Sequence, residues 1–132
     1  MKQRPIPASK LEMSQFHTDD YLDFLSIVTP ENQAKFAWEM KHHEMGTPDI
    51  PIFDGMYDLA SISSGGSIEG AARLNRGRAD IAINWAGGLH HAKKNIPSGF
   101  CYINGLFTHP KLGFGILLIY FHKILCWEFW NF

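Results

Sequence analysis

From Ser9 to Asn75 the apolar residues recur at helical spacing, broken by turn-forming clusters. Ser9 and Glu12 stand three apart, the spacing of a capping box, and Leu11, Met13 and Phe16 follow as a short helix. Thr18 caps a second helix. Asp19 and Asp20 occupy its first turn, where carboxylates suit the positive end of the dipole. Tyr21, Leu22, Phe24, Leu25 and Val28 make its buried side. A third helix is predicted to begin at Thr29 and Pro30, with proline at the permitted first position, and to bury Phe36, Ala37 and Met40. Asp54 caps a longer helix from about residue 55 to 75, in which Met56, Leu59, Ala60, Ile68, Ala71, Ala72 and Leu74 follow three- and four-residue spacings. Gly65 and Gly66 interrupt that run at a cost of roughly 1 kcal/mol each relative to alanine. Glycines in such a place imply close backbone packing against a neighbour.

The period then changes. Ile81, Ala82 and Ile83, ending at Asn84 and Trp85, read as a short buried strand. Gly87 and Gly88 stop it and let the backbone turn sharply. His90 and His91 follow at its carboxyl end, and a second turn, SGFCY at 98–102, is placed to fold back over the same mouth. A helix feeding a strand suits an α/β layer arrangement. In open α/β sheets ligands bind beyond the carboxyl ends of strands, so this stretch is the candidate catalytic rim.

Composition narrows the classes. At 132 residues, 45% hydrophobic and 19% charged, the chain is ordinary globular material and at most one domain. A net charge of −1, with no basic run longer than Lys93-Lys94, argues against direct nucleic-acid binding. Cys101 and Cys126 fit no disulfide framework and are expected as reduced intracellular thiols. The amino terminus has no apolar secretory core. The apolar stretch 112–121 is shorter than the roughly 20 residues of a spanning helix, so a membrane role is not expected.

Several local patterns carry no chemistry of their own. His42, His43 and Glu44 lack the HExxH spacing and read as a solvated polar cluster. SSGGS is neither a serine elbow nor part of a phosphate loop. His90, His91 and Cys101 are zinc-binding types, but adjacent side chains from an irregular turn rarely converge on one ion and no fourth ligand is evident. Asp49, the one charged residue of the loop 46–51, reads on its own as a turn former.

The runs NWAGGLHHAKK and SGFCYIN, with FHTDDYLDFL, PIFDG and GGSIEGAARLN upstream, resemble the class I zinc-dependent histone deacetylases of the Rpd3 type. The resemblance covers roughly residues 1–104. It implies an α/β, three-layer αβα fold of the arginase/deacetylase kind, present in part and truncated at both ends. It implies hydrolysis of N6-acetyl-lysine on histone tails, in the nucleus or secondarily the cytoplasm, within corepressor complexes. His90 and His91 would be the tandem catalytic pair, His91 the better general base and acid. Gly99 and Phe100 would wall the acyl-lysine channel, and Asp49 would hold the substrate's backbone amides. Ile50 stands where the family usually has cysteine, and the loop before it is one residue longer. The family's zinc ligands, two aspartates and a histidine, lie beyond the resemblance, and no aspartate follows Asp80. Metal ligands in this chain are therefore expected to be none. Residues 105–132 form a divergent apolar tail, as a frameshift, retained intron or damaged gene would leave. The competing expectations are a non-catalytic interaction fragment or non-functional product and, more weakly, a deacetylase of small acetylated amines.

Overall fold

The computed structural model describes residues 4–106. Its order is α1 (Lys10–Met13), α2 (Asp19–Ile27), a 3-10 turn (Gln33–Phe36), α3 (Ala37–His42) and α4 (Met56–Asn75), with irregular chain from there to residue 106. The capping box before α1 is complete: Glu12 N donates to Ser9 Oγ, and Ser9 N donates to the Glu12 carboxylate at 2.8 Å. Thr18 is the N-cap residue of α2, but its side chain makes no capping bond, and its Oγ1 is buried without a partner among the described residues.

The predicted helix at Thr29 does not form there. Thr29 N donates to Asn32 Oδ1 at 2.7 Å, and the Asn32 amide reaches back to the Ile27 carbonyl at 2.7 Å. These local bonds offer the backbone an alternative to helix, and winding resumes only at Gln33. The cap of α4 is Gly55, at a φ of 76°, rather than Asp54.

The core gathers Met13, Tyr21, Leu22, Phe24, Leu25 and Val28 against Met45, Ile50, Met56, Ala60, Tyr102 and Ile103. The two glycines of α4 do not break the helix. A Cβ on Gly65 would lie 1.9 Å from the Ile6 carbonyl oxygen, and one on Gly66 would meet the Asn84 side chain at 2.8 Å. Close packing against a neighbour is what these positions serve.

The strand expected at residues 81–85 is absent. Among the described residues there are only two isolated bridges, Thr47 with Ile50 and Ser98 with Cys101. Ile81, Ile83 and Trp85 are 67%, 66% and 82% exposed, so the segment is not buried either. A strand exists only through bonds to a neighbouring strand, and no strand among the described residues makes them. The segment is held from one side instead: Asn84 Nδ2 donates to the Ser63 carbonyl at 2.8 Å and to Ser67 Oγ at 2.9 Å, and Ser63 Oγ donates to the Ala86 carbonyl.

Candidate functional site

The chain from His90 to Asn104 is irregular, so its shape depends on buried polar groups of the helical body. His17 follows α1 and is 2% exposed. Its Nε2 accepts from the Asn104 backbone N–H at 2.9 Å, which leaves Nδ1–H to donate to the Lys94 carbonyl at 3.0 Å. Burial pushes this imidazole's pKa down to about 4, so the ring is neutral. His43, just beyond α3, puts Nδ1 on the Asn95 carbonyl at 2.8 Å. Asn104 is buried too. Its Nδ2 donates to the carbonyls of His90 and Ala92, both at 2.8 Å, and so grips the backbone on either side of His91.

The tandem histidines lie with ring centroids 4.0 Å apart and planes inclined by 44°. His90 is half-buried and its Nδ1 contacts the Gly88 carbonyl at 2.8 Å; His91 is exposed. Opposite His91 is a tight turn. Cys101 N donates to the Ser98 carbonyl at 2.8 Å, and both central residues, Gly99 and Phe100, have positive φ (49° and 62°). Such a conformation is uncommon outside glycine, and at Phe100 it turns a large ring, 63% exposed, outward at the rim. A Cβ on Gly99 would lie 2.9 Å from His91 Cδ2, so the absent side chain is what lets this backbone meet the imidazole.

Asp49 is exposed in a turn closed by Ile50 N donating to the Thr47 carbonyl at 3.0 Å. That loop is tied to the second turn. Tyr102 OH donates to the Pro51 carbonyl, the Phe53 ring meets the Tyr102 ring at 5.9 Å, and Tyr21 OH donates to the Tyr102 carbonyl at 2.7 Å. The structure thus brings His90, His91, Gly99 and Phe100 into one rim, and joins the Asp49 loop to it through Tyr102.

With this geometry in view, the comparison with known proteins is decisive. The histone deacetylase domain family matches residues 1–108. The chain belongs to that family. It is 56% identical over 122 residues to histone deacetylase RPD3 of Saccharomyces cerevisiae, covering 92% of this chain and 27% of that protein. It is 46% identical over 103 residues to human histone deacetylase 1, covering 78% of this chain and 21% of the relative. Among solved structures it superposes on a histone deacetylase homologue from Aquifex aeolicus with a TM-score of 0.70 at 28% identity, over 90% of this chain and 29% of that one. The helices and turns above are therefore part of the arginase/deacetylase αβα fold, and the chain spans about a quarter of these relatives' length.

Zinc belongs to that family's chemistry, and the residues present can be tested for a fit. Among the described residues, no group of three metal-ligating side chains includes His90, His91 or Cys101. Cys101 is buried, with Sγ at 3.4 Å from the Gly99 carbonyl. The rim alone does not fit a zinc ion.

Sequence reasoning missed His17, His43 and Asn104 as the groups that shape the rim. His43 corrects the expectation of a solvated cluster at residues 42–44, for it is 2% exposed and stacked on Phe24 at 5.4 Å. The one legible sign was position: His17 sits beside Phe16 and just ahead of the apolar run of α2.

Proposed function

We propose that this chain carries the tandem-histidine part of an enzyme that hydrolyses N6-acetyl-lysine on histone tails, acting in the nucleus within corepressor complexes. The observation that supports it most is the fit of the Gly99 backbone against the His91 ring, with Phe100 turned out beside it. In this reading His91 moves the proton between attacking water and leaving amine, and His90 stands beside it. Gly99 and Phe100 line the passage for the acyl-lysine stem, and Asp49 holds the substrate's backbone amides. Residues 1–104 are the deacetylase portion, and residues 105–132 are a divergent tail.

The chain by itself is proposed to be inactive. Proton transfer by a placed imidazole contributes roughly 10²–10⁴ in rate, whereas enzymes typically reach about 10⁶ or more. His91 alone falls short by orders of magnitude, and the family's two aspartates and histidine for zinc are not among the residues the rim offers. Incubation with an acetyl-lysine histone peptide and added zinc tests this: acetate release should stay at background. Chelator-sensitive turnover would refute it.

A second reading, a non-catalytic interaction fragment, is favoured by the exposure of Ile81, Ile83 and Trp85 along one segment. Saturable binding of the acetylated peptide, lost in Asp49→Ala, would support the first reading over this one.

A further inference from the structure

We propose a metal site whose ligands do not include the tandem histidines: a divalent transition-metal ion, of the zinc, cobalt or nickel class, held by Asp20, His42 and His43. One donor atom from each of these three side chains lies within 4.8 Å of the others. They come from two elements, Asp20 from the first turn of α2, His42 from the last residue of α3 and His43 from the residue after it. Two imidazoles and one carboxylate are a ligand set that suits such ions and not calcium or magnesium, which take oxygen.

The best-built member is His43. It is almost wholly buried, stacked on Phe24 with planes 21° apart and packed against Tyr21 at 5.2 Å, so its ring cannot swing away. Its Nδ1 is engaged by the Asn95 carbonyl at 2.8 Å, and a carbonyl can only accept. The proton therefore sits on Nδ1 and the lone pair on Nε2. An imidazole whose other nitrogen donates to a carbonyl is the usual support behind a metal ligand, because it fixes both tautomer and ring direction.

Closing the site needs little motion. Zinc–nitrogen and zinc–oxygen bonds of roughly 2.0–2.2 Å in a tetrahedron place donors about 3.3 Å apart. The separation of up to 4.8 Å must shrink by about 1.5 Å. His42 and Asp20 are exposed and can supply that, His42 by sliding on the Trp38 ring it stacks upon at 4.6 Å. Water completes the coordination, since three protein ligands leave an open position.

Titration of the full chain with Co²⁺, followed by its visible d–d absorption, and with Zn²⁺ by calorimetry tests the proposal. One ion per chain should bind, and thermal loss of helical circular dichroism should shift upward, because the ion ties α2 to the end of α3. Asp20→Asn and His42→Ala alter exposed side chains and should each weaken binding at least tenfold. His90→Ala with His91→Ala should leave it unchanged. Absence of saturable binding, or binding that survives both surface changes, overturns the site. Binding lost only in the His90 and His91 variant would overturn it too, and would move the ion to the rim.

Discussion

His17 shows how one buried side chain can govern a rim it does not belong to. Its two ring nitrogens tie the Asn104 N–H and the Lys94 carbonyl, and the first of these bonds needs the neutral ring, because only an unprotonated Nε2 can accept. Its folded pKa of about 4 lies below the ordinary 6.5 because burial penalises the charge. The unfolded chain therefore binds a proton at higher pH than the folded one. The stabilisation is complete above about pH 6.5 and is lost as pH falls through about 4, up to about 3 kcal/mol for such a shift. In an NMR titration the His17 ring should stay neutral down to about pH 4, and a midpoint near 6.5 would contradict the assignment. A neighbouring pair separates chemistry from binding. In a protein extended through the family's zinc-ligand segment, His91→Ala should lower kcat by roughly 10²–10⁴, as loss of a proton shuttle does. Asp49→Ala should act mainly on KM. Equal, small effects from both changes would mean that the roles are wrong.

Among the elements, α4 makes the sharpest test, because its two adjacent glycines face different neighbours. Gly65→Ala drives a methyl into the backbone of Ile6 and Ala8, which cannot yield without separating the amino-terminal segment from the helix. Overpacking of this kind costs about 1–3 kcal/mol. Gly66→Ala meets the end of the Asn84 side chain, and displacing it forfeits roughly 1 kcal/mol for a lost hydrogen bond to Ser63 or Ser67. Removing a helical glycine returns about 1 kcal/mol, so Gly66→Ala should be close to neutral while Gly65→Ala destabilises. Urea unfolding of the helical signal reads the difference, and equal effects would refute the packing argument. The same elements show what a sequence can disclose. Capping and spacing located α1, α2 and α4 nearly to the residue, because those signals are local. Residues 81–85 were misread because apolar periodicity marks strand potential, while a strand itself needs a partner. The His90–His91 rim was legible from its glycines and family pattern. Its supports were not, since His17 and Asn104 lie 87 residues apart and nothing local announces their bond.

The whole molecule carries a contradiction that its behaviour in solution should expose. The helical core is closed, with Met13, Tyr21, Leu22 and Ile103 fully buried. Beside it Ile81, Ile83 and Trp85 are mostly exposed, and Asn84 and the Ser63 hydroxyl tie their segment to the body. Among the described residues no helix is long and apolar enough to cross a membrane. In a three-layer αβα fold the strands run apolar because helical layers cover both faces of the sheet. Here the helices cover one side and nothing described covers the other. Cooperative unfolding depends on layers that lose their contacts together. The chain should therefore unfold over a broad temperature range, with the near-ultraviolet signal fading before the helical one, and should bind an apolar dye at low temperature. Trp85 reports on the segment directly. Trp85→Ala should reduce dye binding and self-association while leaving helical circular dichroism unchanged, since the indole is 82% exposed and outside the core. A sharp transition with coincident probes, or dye binding indifferent to Trp85, would show that the segment is covered in solution.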